Sequence, residues 1–417
     1  MKKKKIFYGW YVVLGCLLIT CTIIPPIMAL SNKFLIQVTN DLGISHSGFT
    51  LANTILQGLG IILSPMISSK LAKGDLRKIQ CISIIGFSLS YASYSLAQSA
   101  IHLYISSLFI GVFYLNCAII PVSMMITNWF EKKRGLAMSI AMAGIGVGGT
   151  IFSPVITMLL NHFGWRHTYQ IMALLILVIA LPAAFFLLRK SPADLGLEPY
   201  GHDTSAVTSS EKASTSKPNA DLSIDVSASW GKCFFWLLII GMFANGLINS
   251  GSLGQFPPAI EEMHGAEVQA LIISMYSLIG IFGKIVLGWL NDRFGIIAST
   301  AFGCITFAVS FIFMLLGENV TMLYIMAILF GLGDAIGTVT PPLITSAVFG
   351  TKNYGQAYGI ANSFTQIGLT LGSLLVAGIY DASGAYRNAW ILLAILTIVT
   401  LIGWVGSYIL SRKYVEK

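Results

Sequence analysis

Two ionisable residues, Lys284 and Asp334, each lie inside an otherwise apolar stretch long enough to cross a membrane. A charge within a bilayer span costs at least a few kcal/mol, so it marks a path for an ion or a proton. A lysine ammonium there is a point charge for a small anion, without the bidentate fork of arginine. A buried carboxylate can take up and release a proton, with its affinity raised by burial and lowered by a nearby cation. The two types together suit one cycle. Asp334 pairs with Lys284 when the site is empty, and protonation of Asp334 frees Lys284 for an anion. An alternative reading of Lys284 is snorkelling, since Asn291 is seven residues on, roughly 10 Å at helical rise. Asp334 is too near the middle of its span for that; its alternatives are a structural ion pair or a permanently protonated acid.

The elements that position them are long apolar helices. Of 417 residues, 55% are hydrophobic and only 10% charged; soluble domains carry roughly 25% charged residues. A transmembrane helix needs about 20 mostly apolar residues. Twelve such stretches lie near 7–35, 46–68, 79–98, 102–127, 135–160, 167–188, 233–255, 267–290, 298–317, 320–348, 354–379 and 387–410. The expected fold class is therefore an all-α polytopic membrane protein in the lipid bilayer.

The net charge of +8 is a topology signal. With alternating spans, 21 of the 25 Lys and Arg fall on one side, Lys2 to Lys5, Lys212, Lys217 and Lys417 among them. Only Lys33, Arg166 and Arg387 fall on the other, and Lys284 lies between. An excess of Lys and Arg on one side marks the cytoplasm, so both termini are expected there. The same distribution leaves no basic face for nucleic acid. The apolar run after Lys2 to Lys5 is not followed by a small-residue cleavage site and reads as a retained first span. The six cysteines show no metal-type spacing.

The polar stretch around 191–231 is rich in Ser, Thr and Ala and reads as a cytoplasmic linker between two six-helix halves, 1–190 and 232–417. The halves resemble copies. Gly135 and Gly355 are 220 residues apart, as are Gly148 and Gly368; Arg166 and Arg387 are 221 apart, and Leu71 and Leu290 are 219 apart. A constant offset implies duplication around a central site.

The stretch Gly288-Trp289-Leu290-Asn291-Asp292-Arg293-Phe294-Gly295 resembles the G-x-L-x-D-R-x-G signature of the major facilitator superfamily. Its first-half counterpart is degenerate, with Lys73 at the usual acidic position. Further stretches are Tyr8-Gly9-Trp10-Tyr11-Val12-Val13, Asn128 to Ala137, Gly144-x-Gly146-x-Gly148-Gly149, Phe163-Gly164-Trp165-Arg166 and Ser191 to Leu197. Together they resemble the oxalate/formate antiporter and monocarboxylate porter branch, over nearly the whole chain except 200–230.

That resemblance implies a secondary transporter of a small organic anion. The expected cargo is a monocarboxylate such as lactate or pyruvate, carried with protons by alternating access across the cell membrane. Lys284 matches the branch's carboxylate anchor. Ala361 stands where oxalate antiporters carry a second cation, and a single cation suits a monocarboxylate. Asp334 stands where those antiporters carry an aromatic, and is expected to couple the proton. Gln57 matches a polar cavity position of the family. Tyr114 and Asn116, with Tyr358 and Asn362 at i, i+4 spacing, are further substrate-contact candidates. Gly288, Asp292, Arg293 and Arg134 are expected to gate and to hold structure. Alternatives are an organic anion exchanger, efflux of a cationic or amphipathic drug anchored by Asp334, and a transport-fold sensor. No cofactor, metal or enzymatic activity is expected, as there is no phosphate-binding loop or nucleophilic triad, and function as a monomer is expected.

Overall fold

The computed structural model describes residues 7–28, 30–202 and 224–414. The centre of the expected linker therefore lies outside the described residues, as do Lys2 to Lys5, Lys212, Lys217 and Lys417. The described chain is nearly all helix, and its long apolar helices run back and forth. We label them α1 (Gly9–Met28), α2 (His46–Lys73), α3 (Leu76–Ser93), α4 (Ala100–Trp129), α5 (134–163), α6 (165–187), α7 (233–264), α8 (266–294), α9 (296–315), α10 (Val320–Phe349), α11 (Tyr354–Ser383) and α12 (Arg387–Arg412). Among the described residues, ten continuous runs are apolar and long enough to cross a membrane. Two of them, 54 and 49 residues long, bend sharply at Gly164 and Gly295 and so supply two crossings each.

These bends are glycine by necessity. Gly164, Gly265 and Gly295 have φ of 70°, 82° and 84°, where an L side chain clashes with its own backbone. Other helix starts use side-chain caps. Ser45 accepts from the Gly48 amide at 3.0 Å, and Asn319 accepts from Thr321 at 2.9 Å.

Two helices are broken at positions related by the repeat. In α4 the helix stops at Cys117, Ala118 has φ −92° and ψ −123°, and a new helix starts at Ile119. In α10 the first part ends at Asp334, a 3-10 turn covers Ala335–Gly337, and a new helix starts at Thr340. Pro341 and Pro342 lie in that new first turn, where a missing amide hydrogen costs nothing. Broken helices of this kind occur where irregular backbone lines a cavity.

Each half is held by a seam of backbone against backbone. In α5, Gly144 and Gly148 lie on the Leu17 and Cys21 carbonyls of α1, and a Cβ at Gly148 would overlap the Cys21 oxygen. Thr20 Oγ1 donates to the Ala141 carbonyl at 2.6 Å on the same seam. In the second half, Gly368 and Gly372 of α11 lie on the Phe243 and Leu247 carbonyls of α7. Gly148 and Gly368, the pair at the 220-residue offset, thus do the same work. Small residues at such contacts let helices associate where lipid offers no hydrophobic driving force. The outward surface is apolar instead, with Ile62, Leu89, Leu174, Leu374 and Ile402 exposed.

We call the face with the start of α1 and the end of α12 the terminal face. There the segment after α6 folds back on the α4–α5 loop. Phe130 and Tyr200 form a parallel bridge, and the Tyr200 amide donates to the Trp129 carbonyl at 2.9 Å. Residues 191–202, expected as the start of a free linker, are held by these bonds. At the other end, Asn353 Nδ2 donates to the Ile224 carbonyl at 3.0 Å.

The seams make a stability prediction. Gly148→Ala or Gly368→Ala forces a methyl group into a backbone oxygen and should destabilise by about 1–3 kcal/mol or more. The check is the thermal unfolding midpoint of detergent-purified protein. Gly378→Ala, on open helix surface, should leave it unchanged.

Candidate functional site

Helix α8 exposes Leu278, Phe282 and Ile285 and buries Tyr276, Gly280, Gly283, Lys284 and Leu287. This is the spacing of a helix with one lipid face and one protein face. Lys284 is on the protein face and only 6% exposed. Snorkelling is therefore not its state here. It makes no hydrogen bond or ion pair with any described residue.

Asp334 ends the first part of α10, half-buried, and interacts electrostatically with Lys284. The expected direct pair is not formed: no carboxylate oxygen lies within 4.0 Å of the ammonium. The register of α8 on α10 is set by backbone contact. Gly283 lies on the Gly331 carbonyl, where a Cβ would approach to 2.6 Å, and Gly331 lies on the Tyr276 carbonyl, at 2.7 Å. With the helices fixed by glycine, the charges are neighbours without touching. Tyr276, which the sequence reading did not single out, joins them. It is 7% exposed, interacts electrostatically with Asp334 and packs edge-on against Phe330 at 5.0 Å.

The other candidates fall into two groups. Tyr358 of α11 and Tyr114 of α4 are buried and face each other across the halves. The Tyr358 ring stacks on Tyr354 at 5.4 Å, and the Tyr114 hydroxyl has no hydrogen-bond partner. Gln57 is half-buried and likewise makes no hydrogen bond to a described residue. Two asparagines are committed elsewhere. Asn362 Nδ2 donates to Ser64 Oγ at 3.0 Å, across the halves, and Asn116 Nδ2 donates to the Val112 carbonyl of its own helix at 2.8 Å. Lys33, one of the three basic residues expected on the side away from the termini, donates to Thr157 Oγ1 at 2.8 Å.

The contacts between halves gather toward the terminal face. Ser68 of α2 donates to the Gly355 carbonyl, and Gly359 lies on Ser68. Asp292, at the end of α8, accepts from the Gly135 amide at 2.7 Å and the Leu136 amide at 2.8 Å. Both amides belong to the first turn of α5, whose unpaired donors and dipole favour a carboxylate. Gly135 and Gly288 allow this approach, because a Cβ on either would overlap the other's carbonyl oxygen. Arg134 donates to the Phe130 carbonyl at 2.8 Å, and at longer range to Thr127 and to Ser346 of the second half. Arg293 stands outside this clasp, 5.4 Å from the rings of Trp289 and Phe294. In the first half, Asp75 caps α3 through the Lys78 amide at 3.3 Å and reaches no residue of the second half. The asymmetry follows from Lys73 at the acidic position.

A family model described as Major Facilitator Superfamily matches residues 11–265 and 238–417. Monocarboxylate transporter 12 of Mus musculus is 22% identical over 424 aligned positions, covering 95% of this chain and 85% of that protein. Monocarboxylate transporter 4 of Rattus norvegicus is 23% identical, with 92% and 80% covered. Among solved structures, FucP, a major facilitator transporter in the outward conformation, superposes with TM-score 0.70 at 14% identity, covering 95% of this chain and 98% of that one. The human organic anion transporter MFSD10 (TETRAN) superposes with TM-score 0.66 at 16% identity, again covering 95% and 98%.

The clasp predicts a conformational effect. Asp292→Ala removes two charge-assisted hydrogen bonds, worth on the order of 3–6 kcal/mol together. The terminal face should then open in a much larger fraction of molecules. Spin labels on the α4–α5 and α10–α11 loops should report longer distances in the variant. An unchanged distance distribution would mean that other contacts hold the face shut.

Proposed function

Because the chain belongs to the major facilitator superfamily, we propose that it carries a small monocarboxylate together with a proton. The two halves, 1–190 and 232–417, alternate access to a central site. The observation that carries this reading is Lys284, a buried ammonium with no protein partner among the described residues. An unpaired interior charge is costly unless something arrives to meet it, and a small anion does. Relatives that align over 92–95% of the chain are named monocarboxylate transporters, which supports the same cargo class.

In this reading the substrate carboxylate is held by Lys284. Asp334, near enough to feel that charge, is the proton carrier: with Asp334 ionised the site is balanced, and with substrate bound Asp334 takes a proton. Tyr358, Tyr114 and Gln57 orient the rest of the substrate. Asn116 and Asn362 contribute once the bonds they make in this state are released. Asp292, Gly288 and Arg134 close the terminal face, and Arg293 adds charge beside them. The Lys and Arg excess makes that face cytoplasmic, in a cell membrane. The carrier works as a monomer.

A second reading is exchange of one organic anion for another. The lack of a direct Lys284–Asp334 pair favours it, because release of Lys284 then needs no protonation. The two separate in proteoliposomes given labelled lactate or pyruvate. For the symporter, an inward proton gradient drives uptake without internal anion, Lys284→Ala reduces it at least about tenfold, in line with loss of a buried charge partner, and Asp334→Asn makes uptake insensitive to the gradient. Uptake only against preloaded anion means exchange. Unaltered pH dependence in Asp334→Asn sinks the coupling role.

A further inference from the structure

Gly280 differs from its neighbours on the α8–α10 seam. Gly283 and Gly331 lie under backbone, where any Cβ would collide. Gly280 is also on the buried face, yet a Cβ there would meet only the Gly331 oxygen, at 3.7 Å, an ordinary contact. The helix packing does not require glycine at this position. It leaves a notch above the Gly280 backbone.

Polar groups flank the notch. Lys284 lies one turn on from Gly280 on the same buried face of α8. Across the seam the Gly331 oxygen borders the notch, and Asp334, three residues further along α10, interacts electrostatically with Lys284. Tyr276 lies one turn outward of Gly280 on the same face, within electrostatic reach of Asp334. Lys284 supplies the independent sign of a ligand: a charged side chain more than nine-tenths buried, with no hydrogen bond or ion pair to a described residue.

We propose that the space over Gly280 is the seat of the substrate's carboxylate, and that Tyr276 is a second substrate contact beside Lys284. Glycine at 280 then sets how large a head group reaches the ammonium. A methyl group at 280 would take up part of the room that a planar carboxylate uses, and a sulfonate or phosphonate of the same chain length is bulkier still at that point. The proposal deepens the anion-carrier reading above and rests on it.

Three variants test it, with labelled L-lactate uptake into proteoliposomes and lactate-induced thermal stabilisation of purified protein as separate readouts. Gly280→Ala is accepted by the packing, and is expected to raise KM about tenfold with kcat within about twofold, the pattern for lost binding shared by ground and transition states. Tyr276→Phe keeps the ring on Phe330 and removes only the hydroxyl; KM should rise about threefold to tenfold. Gly378→Ala, on open surface, should match the wild type. Thermal stabilisation by lactate should weaken in the first two variants alone. If wild type carries lactate and Lys284→Ala abolishes it, but Gly280→Ala and Tyr276→Phe keep the wild-type KM, the notch is not the carboxylate seat, and the carrier reading stands. If wild type neither carries nor binds any monocarboxylate, both readings fall. Should Gly280→Ala fail to reach the membrane, Tyr276→Phe decides alone.

Discussion

An ammonium kept among helices, with no carboxylate of the described residues at ion-pair distance, is the constraint to which the rest of this molecule answers. Lys284 cannot reach solvent along its own helix face, since α8 presents that face to protein. It is compensated only at a distance by Asp334. A permanent contact pair would have cancelled the charge and left little field for a third ion. Separation by a glycine-defined helix register keeps the field and limits the cost.

That separation needs a rigid frame, and the frame is made of backbone. The α1–α5 and α7–α11 seams and the α8–α10 contact all press glycine onto a carbonyl oxygen. Contacts of this kind have no rotamers and little room to breathe. Between one half and the other the Gly135–Gly288 approach is again backbone on backbone, but it is accompanied by bonds of another type. Asp292 on two amides, Asn362 on Ser64 and Ser68 on Gly355 are hydrogen bonds that can be exchanged for water. Stiff units joined by exchangeable bonds are what a rocking mechanism needs, and here the exchangeable bonds lie on the terminal side.

Much of the frame could be read from the chain. Apolar stretches gave the crossings, and the 220-residue offset picked out Gly148 and Gly368, which prove to be seam glycines, one in each half. The motif around Asp292 announced a close approach at Gly288. Other features were harder to read. The break in α4 falls at Ala118, with Pro121 in the first turn of the helix that follows; Pro121 has no amide hydrogen for the Cys117 carbonyl, which accepts from Gln80 Nε2 instead. In α10 the prolines Pro341 and Pro342 open a fresh helix after the bend has occurred. Tyr276 looks like any aromatic on an apolar helix until Asp334 is placed beside it. Gly280 and Gly283 are indistinguishable in sequence. Only the neighbouring helix makes one a contact and the other a gap. The separation of Lys284 from Asp334 was equally hidden, since two lone charges of opposite sign invite pairing and only the register forbids it.

The clasp at the terminal face reads main chain on one side and a side chain on the other. Asp292 addresses amides, which every residue except proline possesses, so Leu136 is free to drift to almost any other amino acid. Gly135 and Gly288 have no such freedom, because each occupies the space the other's side chain would need. Over evolutionary time this junction should therefore show two frozen glycines and one frozen acid beside a neighbour that varies at will. A substitution at either glycine could not be rescued by a compensating change at its partner, since neither has an atom left to give up.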